Sequence, residues 1–292
     1  MLTEVLLPVS LAIIMIGMGL SLKMDDFKLI LKKPKSVLLG LFAQLVVLPF
    51  LALGILSVLM PNKPEYAVGI MLIAACPGGA TSNLLSYLGK CDTALSIALT
   101  AFSSLITVFT IPFIVNFALN KYMSQDTMVT LPILKTIGQI LLITVIPVAI
   151  GMFIHAKRAD ISAKLEKPVR IASTVFIIIV IVGVILKEKA IIGDAFKNIG
   201  LATLLLNVGS LVIGFLIGKI SGLSNRMSST ISIEAGIQNG TLAILIASTK
   251  TLLNNEEMAI PGAVYSLIMF ATGFIAVAIF SKMNSKEGTT NN

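Results

Sequence analysis

Residues 74–83 read Ala74-Ala75-Cys76-Pro77-Gly78-Gly79-Ala80-Thr81-Ser82-Asn83 and lie inside an otherwise apolar stretch, residues 66–89. A proline followed by two glycines removes a backbone hydrogen-bond donor and two helix-favouring side chains, so a continuous helix is not expected there. A second apolar stretch, residues 227–249, is interrupted by Ser232-Ile233-Glu234-Ala235-Gly236-Ile237-Gln238-Asn239-Gly240-Thr241, where glycines again stand among polar residues. Each stretch is therefore predicted to form a helix that is broken near its middle.

The composition of the whole chain is typical of a membrane protein. Hydrophobic residues make up 56% of the 292 positions, charged residues only 12%, and the mean hydropathy is +0.98, whereas soluble domains carry about 25% charged residues. A transmembrane helix needs about 20 mostly apolar residues. Nine such segments are predicted, at residues 2–22, 36–60, 66–89, 92–119, 131–155, 169–187, 198–219, 227–249 and 258–281. The expected fold class is an all-α integral membrane protein with nine transmembrane helices.

The two interrupted segments are the third and the eighth, five segments apart. Because an odd displacement reverses the direction in which a helix crosses the bilayer, corresponding segments would run antiparallel. Such a pair of broken helices indicates an inverted repeat, with a binding site where the breaks meet near the midplane. Segments one to four would pair with six to nine. No long polar linker divides the chain, so residues 1–284 are predicted to form one transmembrane domain, followed by a disordered cytoplasmic tail at 285–292.

The basic residues predict how the protein is oriented. With the N-terminus outside and the C-terminus in the cytoplasm, 15 of the 22 basic residues fall in cytoplasmic loops and flanks, as the positive-inside rule predicts. They are Lys23, Lys28, Lys32, Lys33, Lys35, Lys90, Lys157, Arg158, Lys164, Lys167, Arg170, Lys219, Arg226, Lys282 and Lys286. The expected location is the inner (plasma) membrane of the cell, with the lipid bilayer around a multi-pass protein.

Several other classes of function are not expected. The net charge of +8 comes from loops and no aromatic-basic module accompanies it, so nucleic acid is not an expected partner. Cys76 and Cys91 lie in or beside membrane segments, and the single histidine, His155, lies at a helix end. They predict neither a metal cluster nor a proton relay. Without a nucleophile–base pair or a phosphate-binding loop, an enzyme is not expected. The oligomeric state stays open, with a monomer as the working expectation.

Glu234 is the acidic residue that lies deep inside a predicted segment, whereas the other carboxylates lie at segment ends or in loops. An ionisable side chain at that depth costs at least about 2.5 kcal/mol on insertion scales. No lysine or arginine occupies the middle of any segment, so the chain offers no candidate for a buried ion pair. The partners that remain for Glu234 are a proton or a metal cation.

Side chains with oxygen atoms occur near both breaks and in the neighbouring segments. They are Gln44, Ser82, Asn83, Ser96, Thr100 and Gln238. Sodium, like calcium and magnesium, prefers oxygen ligands. Taken singly, each of these residues fits a hydrogen bond between helices better than an ion ligand. Because they cluster around two broken helices and one unpaired carboxylate, they favour a cation site.

The order of these residues along the chain resembles the bile acid:sodium symporter family. The resemblance rests on Gln44, Cys76–Asn83, Ser96, Thr100 and Ile233–Asn239, with Gly17–Leu22 and Ile260–Ala263 in the first and last segments, and it covers nearly the whole chain. It implies a panel, here of helices 1, 5 and 6, packed beside a core of helices 2–4 and 7–9. The two discontinuous helices would cross within that core.

The resemblance also implies which residues bind the transported species. One sodium site would consist of Ser82, Asn83, Ser96, Thr100 and Glu234, and a second of Gln44, Glu234 and Gln238 with the backbone carbonyls of Ala235 and Ile237. The anion would lie between panel and core, lined by Thr81, Asn239 and Ser266. Ala80 lacks a hydroxyl that some relatives carry, and the residues after Ser266 are apolar. The resemblance therefore does not identify the substrate.

The expected function is secondary active transport, in which an organic anion is carried together with two sodium ions by alternating access. The anion would be bile acid-like or a small carboxylate, and no catalytic residues are expected. The alternative is a proton-coupled carrier of organic anions in which Glu234 is protonated and deprotonated. A passive channel is the less favoured reading, since the paired breaks are typical of carriers.

Overall fold

The computed structural model describes residues 7–123, 130–158 and 189–290, with isolated residues at 160, 162, 164, 165, 168 and 171. This part of the chain is helical and has no β-strands. Its helices are α1 (Leu7–Ser21), α2 (Met24–Phe27), α3 (Leu29–Lys32), α4 (Pro34–Val58), α5 (Pro64–Ala75), α6 (Ala80–Leu88), α7 (Thr93–Tyr122), α8 (Ile133–Lys157), α9 (Lys189–Ile220), α10 (Asn225–Gly236), α11 (Gly240–Ser248) and α12 (Glu256–Thr290). The sixth predicted segment, 169–187, lies outside the described residues apart from Ile171.

Five helices in the described part of the chain are long and apolar enough to cross a membrane. They are Pro34–Val58, Thr93–Tyr122, Ile133–Lys157, Phe196–Ile220 and Glu256–Lys286. Along α7, Phe109, Phe113 and Phe117 follow one another at intervals of one turn, and each is about half exposed. Such a stripe suits contact with lipid. The chain is therefore an all-α integral membrane protein, while the total of nine helices, the division into panel and core and the disordered tail stay predictions.

Both predicted breaks are present. The third segment consists of α5 and α6, separated by residues 76–79, and the eighth consists of α10 and α11, separated by residues 237–239. Backbone dihedrals are extended at Cys76 (ψ 154°) and at Ile237 (φ −106°, ψ 99°), immediately after each first half. Proline and glycine end the helix in the first case, as the sequence predicts.

The two breaks meet and pair with each other. Gly78 and Gln238 form an isolated antiparallel bridge, and the backbone N–H of Asn239 donates a hydrogen bond to the carbonyl of Pro77 at 2.8 Å. Backbone groups freed by a break have no solvent partner inside a bilayer. Each break therefore supplies hydrogen-bond partners to the other, and the segments cross at this point.

Contacts between loops agree with helices that run alternately in opposite directions. At one end Lys63 pairs with Glu257 at 2.6 Å, and at the other end Lys33 pairs with Asp92 at 2.9 Å. Each pair joins loops that the predicted orientation places on the same side of the membrane. The hydrogen bond that Lys63 donates to the Glu257 carboxylate raises the pKa of Lys63 above its ordinary value.

Helices α1 and α8 pack with their backbones in direct contact. A Cβ atom added to Gly151 would lie 2.3 Å from the carbonyl oxygen of Ile16, and one added to Gly19 would lie 2.2 Å from that of Val148. Small residues allow such close approach in membranes, where tight packing replaces the hydrophobic effect as the force between helices. These glycines therefore fix how the first and fifth predicted segments associate.

Gly151→Ala is expected to destabilise the protein. Its new methyl group would collide with a backbone atom, which cannot move aside as a side chain can, and overpacking of this kind costs about 1–3 kcal/mol. Gly138→Ala, on the same helix with nothing within 4 Å of the added Cβ, is the matched control. Thermal unfolding in detergent should show a lower melting temperature for Gly151→Ala only, and equal melting temperatures would contradict the packing described.

Candidate ion and substrate site

Glu234 lies on α10, two residues before that helix ends, and its side chain is buried, with 1% of the residue exposed. One carboxylate oxygen, Oε1, accepts a hydrogen bond from Ser96 at 2.5 Å, and the other, Oε2, accepts one from Thr100 at 2.9 Å. Both hydroxyls come from successive turns of α7. The ion pairs formed among the described residues do not include Glu234.

Two residues of α6 complete this group of oxygen atoms. The side-chain oxygen of Asn83 lies 2.8 Å from the hydroxyl of Ser96 and 3.2 Å from that of Thr100, and the Ser82 hydroxyl lies 3.5 Å from that of Thr100. Each hydroxyl carries one proton. The hydroxyls of Ser96 and Thr100 therefore cannot donate to Asn83 and to Glu234 at the same time. The crowded lone pairs suit a cation, and all five predicted residues of the first sodium site are brought together here.

The second predicted set lies next to the backbone carbonyls of Glu234 and Ala235. The amide nitrogen of Gln44 donates to the carbonyl oxygen of Glu234 at 3.1 Å, and that of Gln238 donates to the carbonyl of Ala235 at 2.7 Å. The amide oxygens of Gln44 and Gln238 are buried and have no hydrogen-bond partner among the described residues. Two unpaired amide oxygens beside backbone carbonyls are a further set of possible sodium ligands. Ile237 lies in the extended break next to them.

The position of Gln44 depends on an irregular turn. Residues 43–47 of α4 form a π-helical turn, a feature that often marks functional sites in helices. Gln44 lies within this turn and is 1% exposed. The sequence placed Gln44 in an apolar helix but gave no sign of the π turn that carries it.

Gly78 also faces the candidate site, although its position in the sequence predicts only a helix break. A Cβ atom added to Gly78 would lie 2.6 Å from Oε2 of Glu234, 3.2 Å from the Ser82 hydroxyl and 3.3 Å from the amide nitrogen of Gln44. The Cα hydrogen of Gly78 that a Cβ atom would replace therefore faces the space between the two predicted sodium sites. The glycine pair after Pro77 is the sequence feature that could have indicated this. Glycines there allow other groups to approach the backbone closely, in addition to breaking the helix.

The helix ends at the crossing carry opposite partial charges. The C-terminal ends of α5 and α10 are partially negative, and the N-terminal ends of α6 and α11 are partially positive. Asn239 caps α11 by accepting a hydrogen bond from the N–H of Leu242 at 3.0 Å. Cations are thus favoured near the ends of α5 and α10, and anions near the starts of α6 and α11.

The three predicted substrate residues lie at the two helix starts. Asn239 is the N-cap of α11, and the Ser266 hydroxyl is close enough to Gly240 that an added Cβ would lie 1.9 Å from it. Ser266 donates its proton to the carbonyl of Gly262 at 2.7 Å. Thr81 lies in the first turn of α6 and is partly exposed. The structure thus groups Asn239 with Ser266, and places Thr81 on the other broken segment.

Two broken helices that cross beside a buried carboxylate and a group of oxygen atoms are features of a membrane transporter with discontinuous helices. Comparison with known proteins agrees with this class. The profile described as the Sodium Bile acid symporter family matches residues 8–194, more than half of the chain. The chain therefore belongs to the sodium bile acid symporter family.

Relatives of known description are similar along most of the chain. A probable sodium/metabolite cotransporter of Arabidopsis thaliana chloroplasts is 31% identical over 96% of this chain and 67% of its own length. An uncharacterised sodium-dependent transporter of Bacillus subtilis is 28% identical over 95% of this chain and 83% of its own length. The human ileal sodium/bile acid cotransporter is 31% identical over 82% of this chain and 68% of its own length. This chain is thus a membrane protein of a sodium symporter family.

Gly78→Ala is expected to weaken the apparent affinity for sodium by about tenfold, because its methyl group would occupy space next to the Glu234 carboxylate. Gly79→Ala is the matched control: the adjacent residue has an extended backbone and the nearest atom to its added Cβ is 4.0 Å away. Sodium titrations of thermal stability would compare the two variants. Equal sodium responses would show that Gly78 does not face the ions.

Proposed function

We propose that the protein is a secondary active transporter that couples the movement of two sodium ions to the uptake of an organic anion. The observation that carries this proposal is the environment of Glu234. Its buried carboxylate accepts hydrogen bonds from two hydroxyls, the amide oxygen of Asn83 lies next to both hydroxyls, and the ion pairs among the described residues do not include Glu234. An alkali cation balances such a charge and takes oxygen ligands. Membership of a sodium symporter family supports the same choice.

The two sodium ions would share Glu234. In the first site the ion would be bound by the Glu234 carboxylate with the side chains of Ser82, Asn83, Ser96 and Thr100. In the second it would be bound by Gln44, Glu234 and Gln238, with the carbonyls of Ala235 and Ile237. The hydrogen bonds that Gln44 and Gln238 now make use their N–H groups, which leaves the amide oxygens available. Both sites lie at the crossing, so sodium binding would order the two breaks together.

The substrate would be an organic anion, either bile acid-like or a small carboxylate. Relatives include a sodium/bile acid cotransporter and a sodium/metabolite cotransporter. A bile acid and a small carboxylate both carry a negative group. The starts of α6 and α11 supply positive partial charge to such a group. Thr81, Asn239 and Ser266 lie at these helix starts and would contact it.

Alternating access follows from the coupling between the sites. Sodium neutralises Glu234 and fixes both breaks, so the anion binds more tightly, and by reciprocity the anion raises the affinity for sodium by the same factor.

Two sodium ions with one monovalent anion move one net charge. A membrane potential of about 100 mV contributes about 2.3 kcal/mol per charge, and each tenfold sodium gradient adds about 1.4 kcal/mol. These driving forces would support accumulation of roughly several thousandfold.

Glu234→Gln tests this proposal most directly. The substitution keeps the shape of the side chain and removes its charge, so we expect the sodium-dependent rise in melting temperature and sodium-driven uptake to be lost. Organic anions should be screened with sodium and with choline, since a true substrate would stabilise the wild type only when sodium is present.

Glu257→Gln serves as the control for that experiment, because this carboxylate pairs with Lys63 far from the crossing. It should keep a normal sodium response. If Glu234→Gln responded to sodium like the wild type, the assignment of both ion sites would be wrong. If a pH gradient drove uptake without sodium, the protein would be a proton-coupled carrier that uses Glu234.

We also propose that the protein lies in the plasma membrane with its N-terminus outside and its C-terminus in the cytoplasm. Cys76 and Cys91 are buried, so an introduced cysteine would be the main target of a membrane-impermeant thiol reagent. Asn62→Cys, in the loop before α5, should be labelled in intact cells. Met24→Cys, on exposed α2, should be labelled only after permeabilisation. The reverse pattern would invert the orientation.

A further inference from the structure

The carbonyl group of Gly236 is held by residues that belong to neither predicted sodium site. Gly236 is the last residue of α10, and its carbonyl oxygen accepts two hydrogen bonds: one from the side-chain amide of Asn207 at 2.8 Å and one from the hydroxyl of Tyr265 at 2.8 Å. The last carbonyls of a helix have no partner within the helix. Here that need is met from two other helices, α9 and α12.

The donors are themselves fixed. Asn207 and Tyr265 are fully buried, at 0% exposure, and the Thr272 hydroxyl lies 2.5 Å from the side-chain oxygen of Asn207. Tyr265 and Thr272 are two turns apart on α12, while Asn207 lies on α9. A buried polar network in which the members are mutually hydrogen-bonded is rigid, so α9 and α12 hold the end of α10 from one side.

The other carbonyls at this helix end are bound differently. The carbonyls of Glu234 and Ala235 accept hydrogen bonds from Gln44 and Gln238, the two amide side chains of the second predicted sodium site. When an ion binds, these hydrogen bonds can be replaced by contacts with the ion. Gly236 lies between the two proposed backbone ligands, Ala235 and Ile237. Its own carbonyl keeps its hydrogen bonds to Asn207 and Tyr265.

We propose that Asn207 and Tyr265 are positioning residues for sodium binding: by fixing the Gly236 carbonyl, they hold the flanking carbonyls of Ala235 and Ile237 in place for the ion. This inference rests on the proposed function. A site whose ligands are already held in place loses less conformational freedom when it binds its ion. Loosening the Gly236 peptide therefore lowers affinity for sodium, even though neither positioning residue touches the ion.

The test compares two variants that each remove one hydroxyl group. Tyr265→Phe keeps the ring and removes one of the two bonds to Gly236. We expect its dissociation constant for sodium to rise about fivefold, which corresponds to about 1 kcal/mol. Tyr122→Phe is the matched control, because the hydroxyl of Tyr122 has no hydrogen-bond partner among the described residues. Its sodium affinity should equal that of the wild type.

The measurement is a sodium titration of the melting temperature of the purified full-length protein, with choline chloride keeping the ionic strength constant. Thr272→Val, which releases Asn207, is a second variant if Tyr265→Phe does not fold, and it should weaken sodium binding in the same direction. A purely architectural role would lower the melting temperature in choline and leave the sodium dissociation constant unchanged. That result would overturn the inference.

The wild type in the same series separates the two proposals. If sodium does not stabilise the wild type, the proposed sodium coupling fails and the positioning role fails with it. If sodium stabilises the wild type, and Tyr265→Phe (or Thr272→Val in its place) keeps the same dissociation constant, only the positioning role fails. Weaker sodium binding by the tested variant, with Tyr122→Phe unaffected, supports both.

Discussion

A helix that is broken inside a bilayer frees backbone amides and carbonyls that lipid cannot bind, and each unsatisfied group costs several kcal/mol. In this protein the two broken segments bind each other: the N–H of Asn239 donates to the carbonyl of Pro77, and Gly78 pairs with Gln238. Neither break could be stable at that depth without the other. The crossing therefore fixes the positions of the surrounding side chains, and the candidate site is a consequence of how the backbone is satisfied.

The same crossing is the physical basis for the cation proposed at Glu234. Glu234 lies in the last turn of α10, where the partial negative charge of the helix end disfavours another negative charge. Burial adds a desolvation cost. The hydroxyls of Ser96 and Thr100 offset part of this cost with hydrogen bonds, but they are neutral. A positive charge that entered such a site would offset the remaining cost, and the proposed ion coupling depends on this property.

The two ends of the molecule show a related pattern. At one end Asp92, just before α7, bonds through its backbone N–H to the hydroxyl of Thr230 on α10 at 2.9 Å. At the other end Glu257, in the first turn of α12, pairs with Lys63 just before α5. The start of α7 is thus bonded to α10, and the start of α12 to the residue just before α5. An inverted repeat would produce this relation, because α5 and α10 are the first halves of the two broken segments.

The sequence alone determined the features that depend on local chemistry. Proline and glycine residues located both breaks, apolar composition indicated a membrane protein, and Glu234 was identified because no basic residue lies at its depth. The resemblance of the sequence to a family assigned Gln44 to the same ion site as Glu234. The two residues are 190 positions apart in the sequence, so no local pattern links them. Only the tertiary structure decided that Gly78 faces the carboxylate, that a π turn carries Gln44, and that Asn207 and Tyr265 hold the Gly236 carbonyl. The physical reason is that breaks and hydropathy are properties of short stretches, whereas the partner of a buried polar group is chosen by how distant helices pack.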